Sequence, residues 1–159
     1  MSKALHNPRG TSPPNKPQPK RGPAKALNYL GAKTAGTNET DFIEIIRNGL
    51  DRKALDKLML FTGLGASEVA AFIHVSDRTL RRYKAGTVLN PEQSERVLEI
   101  AHLYTRGEEV FGDMEAFKEW VNSDLIALGN KKPKAFLDTS RGVQMVTALL
   151  GRIEHGVFS

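Results

Sequence analysis

The residues that invite a chemical reading lie between positions 76 and 84: Ser76, Asp77, Arg78, Thr79, Arg81, Arg82 and Lys84. Four cations and one carboxylate in so short a stretch suit a surface that reads a polyanion. A guanidinium edge can pair with guanine O6 and N7, and a carboxylate can accept from cytosine N4. Hydroxyl and ammonium groups reach phosphate oxygens. The elements that must position them are two short helices, expected at Ser67–Ile73 and Asp77–Tyr83. Val69, Ile73, Val75, Leu80 and Tyr83 form their shared apolar set, and Ala70 is small enough to stand at the crossing. Ser67 and Ser76 are placed to cap the two helices, and Gly86 to end the second in a left-handed turn. With the apolar set turned inward, Asp77, Arg78 and Arg81 face outward toward base edges. Ser76, Thr79, Arg82 and Lys84 flank them for phosphate contacts. His74 holds the turn position where glycine is usual, and histidine is among the residues that tolerate left-handed backbone.

The inventory excludes several enzyme classes. The chain of 159 residues has no cysteine, so thiolate metal sites, disulfides and cysteine nucleophiles are out of reach. His6, His74, His102 and His155 are too scattered for a zinc site, and Gly63–Gly65 lacks the Lys-Ser/Thr of a nucleotide-cradling loop. No cofactor and no catalytic group is expected. The start MSKALHNPRG has no apolar signal core, and no run approaches the roughly 18 apolar residues of a membrane span, so a cytoplasmic protein is expected.

The net charge of +5 is unevenly spread. Residues 1–40 carry 7 Lys/Arg against one acid, residues 41–105 carry 9 against 9, and residues 106–159 carry 7 against 8. Bulk charge therefore says nothing for the folded part; local clustering must carry the case. The expected organisation is a disordered, basic, proline-rich arm at 1–38, a helix-turn-helix domain at 40–106 and a C-terminal helical domain at 107–159. The arm, with Pro8, Pro13, Pro14, Pro17, Pro19 and Pro23, has too little apolar surface to offset its ordering entropy. It reads either as a phosphate-touching arm or as a solubilising tail. Beyond it every periodic segment is helical, so the fold class is all-α. Thr40 or Asp41 caps a first helix with Phe42, Ile45, Ile46 and Leu50 on one side. A second covers Arg52–Thr62, and Asn90 with Pro91 opens a helix over 91–106. Asp113 caps Met114–Asn122, and Asp138 or Thr139 caps Ser140–Glu154, whose stripe is Val143, Val146, Leu149, Leu150 and Ile153. Phe42, Ile45 and Trp120 are candidates for a dimer contact.

Residues 66–86 resemble the Xre-type, lambda-repressor-like helix-turn-helix proteins. Leu137-Asp138-Thr139-Ser140-Arg141-Gly142 and the closing Leu149-Leu150-Gly151-Arg152-Ile153-Glu154-His155-Gly156-Val157-Phe158-Ser159 resemble the end of the Xre/MbcA/ParS-like toxin-binding domain. The likeness covers about residues 45–159. It implies an antitoxin that occludes the pocket of a RES-domain, NAD-degrading toxin and represses its own operon as a homodimer or larger complex on operator DNA. The toxin would then meet Asn130, Lys131, Lys132, Arg141, Arg152, Glu154, His155, Val157, Phe158 and Ser159. Two other readings stay open: a stand-alone repressor whose C-terminal domain senses a small molecule or dimerises, and a structural adaptor with a degenerate helix-turn-helix.

Overall fold

The computed structural model describes residues 23–32 and 38–156 of the chain. The fold is all-α. Its helices are α1 (Pro23–Tyr29), α2 (Glu39–Asn48), α3 (Arg52–Thr62), α4 (Ala66–Phe72), α5 (Asp77–Arg82), α6 (Pro91–Phe111), α7 (Met114–Val121) and α8 (Ser140–Glu154). Two 3-10 turns, Ile126–Leu128 and Pro133–Phe136, lie between α7 and α8, where the sequence suggested only a loop at 129–134.

The long α6 is the axis of the molecule. Asn90 accepts from the Gln93 N–H at 2.8 Å while the Gln93 side chain returns to the Asn90 N–H, and Pro91 follows the cap. The helix does not stop at Arg106, as expected from sequence, but runs on to Phe111. Gly107 explains why. A Cβ there would lie 2.2 Å from the Phe117 ring, so glycine marks the close approach of α7 rather than a helix end. Val97, Ile100, Ala101, Leu103 and Tyr104 of α6 are buried in one core that also takes in Leu55 and Leu58 of α3, Val69 of α4, Phe117 of α7, and Val146 and Leu150 of α8. Both halves of the chain therefore share one continuous apolar interior.

The arm is not wholly without structure. Residues 23–32 belong to α1 and its exit turn, with Ala26, Leu27 and Leu30 buried. Tyr29 stacks on Phe61 with centroids 4.7 Å apart and donates to Glu108 at 2.9 Å, while Lys25 pairs with Glu108 at 3.0 Å. A seven-residue helix is unstable alone, so the tertiary contacts hold it. Burial, reinforced by the Glu108 hydrogen bond, raises the Tyr29 phenol pKa. The rest of the expected arm, residues 1–22 and 33–37, lies outside the described residues. In α2 the cap is Asn38, which accepts from the Asp41 N–H at 2.9 Å, rather than Thr40 or Asp41. Asp113 and Thr139 cap α7 and α8 as expected.

Candidate nucleic-acid and partner interfaces

The helix-turn-helix forms because α4 and α5 cannot bury their apolar faces except against each other and the α3–α6 core. Val69, Ala70, Ile73 and Leu80 are buried, while Val75 and Tyr83 are half-buried. Each large apolar group removed from water contributes roughly 1.5–3 kcal/mol. The orientation of α5 is fixed on both sides. The Arg52 guanidinium donates to the Leu80 carbonyl at 2.8 Å, and Gln93 donates to the Tyr83 hydroxyl at 3.1 Å. Ser76 caps α5 by accepting from the Thr79 N–H at 3.1 Å, and its own hydroxyl donates to Thr79 Oγ1.

Two local details differ from the sequence reading. Ser67 does not cap α4. Gly65 occupies the cap position, and Glu68 reaches back to its N–H at 2.9 Å. Ser67 instead donates to Asp77 at 2.9 Å, tying the start of α4 to the start of α5 and engaging one Asp77 oxygen. The recognition helix is also shorter than expected. It ends at Arg82 with Tyr83 already extended, and Gly86, at φ 85°, belongs to the following turn in which Thr87 donates to the Lys84 carbonyl. Lys84 therefore stands beyond the helix.

Ser76, Asp77, Arg78, Thr79, Arg81, Arg82 and Lys84 are all exposed. Among the described residues, Arg78, Arg81, Arg82 and Lys84 form no ion pair, whereas Arg47, Arg52, Arg96 and Arg106 each have a carboxylate partner. The face carries unneutralised charge at one place, and a polyanion is its chemical complement.

The turn before α5 is held from outside the helix pair. His74 has φ 62°, the left-handed conformation expected of it. Its Nε2 donates to the Asp138 carbonyl at 2.6 Å, and its Nδ1 lies 3.5 Å from a Glu92 carboxylate oxygen. Next to it, Arg96 is 3% exposed. A guanidinium so deeply placed must be paired and hydrogen-bonded. It donates to the Phe72 carbonyl at 2.8 Å, to Glu99 at 2.6 Å, to Ser140 Oγ at 3.3 Å and to the Leu137 carbonyl. Ser140 in turn donates to Glu99. A third link pairs Lys134 with Glu68 at 2.5 Å. Burial raises the Glu68 pKa, but the hydrogen bonds from Lys134 and the Gly65 N–H outweigh it and hold the carboxyl below its ordinary value. Sequence reasoning missed Arg96 and Lys134. Arg96 was detectable, since it falls four residues before Ile100 on the buried stripe of α6.

Between α4 and the 124–138 segment lies an open groove of about 630 Å³, walled by Ser67, Glu68 and Ala71 on one side and by Asn130, Lys131 and Lys132 on the other. Asn130, at φ 59°, Lys131 and Lys132 are exposed, as are Arg141, Arg152 and His155 along and beyond α8. Glu154 differs from the other residues assigned to the toxin, because its carboxylate is paired with Arg106. Val157, Phe158 and Ser159 lie outside the described residues. The start of α8 is set by Gly142, where a Cβ would stand 1.7 Å from the Phe136 carbonyl oxygen. Of the suggested dimer residues, Phe42 is in the core and Ile45 is half-buried against it. Trp120 is half-buried with Phe111 and Phe117, while Ile43 and Val88 are the apolar groups exposed near α2.

Fold and site together define a helix-turn-helix protein with a helical C-terminal module docked on it. Comparison with known proteins gives the family. Residues 41–102 match the antitoxin Xre-like helix-turn-helix domain, and residues 106–156 match the antitoxin Xre/MbcA/ParS C-terminal toxin-binding domain. The chain is 29% identical over 122 residues to the antitoxin Xre of Yersinia enterocolitica, covering 76% of this chain and 82% of that one. It is 26% identical over 117 residues to the antitoxin Xre of Photorhabdus laumondii, covering 72% and 79%. Among solved structures, a chain of the M. tuberculosis MbcT–MbcA toxin–antitoxin complex shares the fold, with a TM-score of 0.50 and 23% identity over 68% of this chain and 96% of that one. The chain belongs to the Xre-type antitoxin family. Among the described residues no helix is long and apolar enough to cross a membrane.

Proposed function

We propose that this protein neutralises a RES-domain, NAD-degrading toxin by occluding its active site, and represses its own operon by binding operator DNA through α4 and α5. The observation that carries the DNA half is the exposed row of Arg78, Arg81 and Arg82, none of which pairs with a carboxylate among the described residues. Asp77, Arg78 and Arg81 read base edges, and Ser76, Thr79, Arg82 and Lys84 hold phosphates. The toxin half rests on the match to a toxin-binding domain over residues 106–156. Asn130–Lys132, Arg141, Arg152, Glu154, His155 and residues 157–159 are its contact surface, and Arg141 and Arg152 pair with toxin carboxylates. The protein acts in the cytoplasm, without cofactor or catalysis of its own, as a homodimer within a larger toxin–antitoxin complex. Its division into a helix-turn-helix domain at 40–106 and a toxin-binding domain at 107–159 is functional, since both parts share one interior.

Co-expression with the RES-domain protein of its own operon tests the reading. Growth and cellular NAD should be restored by the full chain and not by a chain lacking residues 155–159. Equal rescue by the truncated chain would remove the terminus from the inhibitory surface, and no rescue by the full chain would refute the neutralising role.

A further inference from the structure

Asn130, Lys131 and Lys132 face the outer side of α4 across the open groove, whose near wall is Ser67, Glu68 and Ala71. That near wall has a defined place in a helix-turn-helix complex. Such a motif sets its second helix in the major groove and carries its first helix across the sugar–phosphate backbone. Ser67 donates to Asp77 at 2.9 Å, so the start of α4 stands beside the start of α5, the end that enters the duplex. Whatever faces Ser67 from outside α4 therefore faces the backbone that flanks this entry. The loop that does so is held firmly. The Leu125 N–H donates to the Lys131 carbonyl at 3.1 Å and the Asn130 N–H to the Leu125 carbonyl at 2.9 Å, while Lys134 ties the segment to α4 through Glu68.

The charges agree with this placement. Lys134 is engaged by Glu68 and Lys118 by Glu115, but Lys131 and Lys132 are exposed and form no ion pair among the described residues. Of the acids along the groove, Glu68 is matched by Lys134, and Asp138 lies at the far end, where its carbonyl meets His74 beyond α4. Asp124 stands next to the bridge that joins Leu125 to Lys131 and pairs with neither lysine. An ammonium on a flexible stem suits a phosphate as a point charge. We infer that Lys131 and Lys132 hold backbone phosphates beside the entry of α5, so that in the chain free of toxin the DNA-binding surface extends from the helix-turn-helix onto the C-terminal module. The inference rests on the proposed DNA-binding reading and widens its footprint. Phosphate contacts carry no sequence information directly, so these two add affinity without adding specificity.

Fluorescence anisotropy of the full chain, without toxin, tests this across a salt series on two labelled duplexes, the promoter of its own operon and a random sequence of equal length. The variants are Lys131→Gln with Lys132→Gln, the charge-keeping Lys131→Arg with Lys132→Arg, and, as control, Lys57→Gln, which lies beside Gly31. Each phosphate contact adds about 0.9 to the slope of log affinity against log salt, so the glutamine pair should lower the slope by about 1.8. Near physiological salt it should weaken both duplexes about tenfold and alike, leaving their ratio within about twofold of wild type. The arginine pair and Lys57→Gln should keep the wild-type slope. A slope within about 0.5 of wild type for the glutamine pair, a loss confined to the promoter, a control that falls as far, or an arginine pair that behaves like the glutamine pair would each overturn the inference. Both lysines are exposed, so the urea midpoint should not move; a fall in midpoint accompanying the loss would make their role structural and overturn it as well. A wild-type chain that holds the promoter no tighter than the random duplex would instead overturn the proposed function beneath it.

Discussion

Replacing Arg96 with methionine isolates the junction between the two halves, since methionine keeps the length and apolar stem of the side chain but none of its donors. The substitution leaves the Phe72 and Leu137 carbonyls without the donor they share, and leaves Glu99 with only Ser140. Each buried acceptor left unsatisfied costs about 1–3 kcal/mol. A fully buried ion pair broken by removing one partner costs about 3–5 kcal/mol, and the partial exposure of Glu99 places this pair at or below the lower end. Part of this is recovered because the methionine thioether is easily buried. The expected net loss is about 3 kcal/mol, a large share of the roughly 5–15 kcal/mol that holds a domain together. Urea unfolding can follow Trp120, the one tryptophan in the chain, which packs between Phe111 and Phe117. At an m-value of about 2 kcal/mol/M the midpoint should fall by about 1.5 M. The exposed Arg82→Met serves as control and should change stability by less than about 0.5 kcal/mol. A loss below about 1 kcal/mol for R96M would refute the assignment of Arg96 as the bond between the halves.

Gly107→Ala should destabilise by about 1–3 kcal/mol on the same urea assay, because the new methyl meets the Phe117 ring at 2.2 Å. A gain, as helix propensity alone would give, would contradict the close packing of α6 and α7. The Glu68–Lys134 pair predicts a pH dependence. Because the folded-state carboxyl pKa is depressed, its contribution is complete above the unfolded value of about 4.3 and is lost as pH falls through the folded value. Wild type should therefore exceed Glu68→Gln in stability at pH 7, with the gap closing toward acid. A gap independent of pH would exclude the ion pair as its source. Burial likewise lowers the His102 pKa, so charging this imidazole should erode stability as pH falls below about 6.5, and His102→Gln should flatten that slope in a series of urea midpoints.

The sequence made the helix-turn-helix legible because its signals are local. The spacing of Val69, Ile73 and Leu80, the Ser76 cap and the left-handed His74 each act within a few residues, and α8 was equally plain from its apolar stripe and Thr139 cap. What could not be read depended on distant partners. The short α1 is only seven residues long and cannot hold as a helix alone; it forms because Tyr29 and Lys25 find Phe61 and Glu108. Gly107 looks like a stop in one dimension and is a contact with Phe117 in three. Ser67, a plausible cap by type, is drawn to Asp77 across the helix pair, and Glu68 takes its place. The bonds that Lys134, Leu137, Asp138 and Ser140 make to Glu68, His74 and Arg96 span 41 to 66 positions of chain, and only Arg96 among their partners announced itself, as a charge on a buried stripe.

The account stands on guanidinium groups that the core of α4 and α5 turns outward toward a duplex. Fluorescence anisotropy with a labelled promoter fragment, at fixed salt, compares wild type with the double variant Arg78→Ala, Arg81→Ala. Two lost base contacts at about 1–3 kcal/mol each should weaken specific binding at least about 30-fold, with the urea midpoint unchanged. A dissociation constant within about twofold of wild type, on a chain of equal stability, would contradict the claim that this face reads DNA.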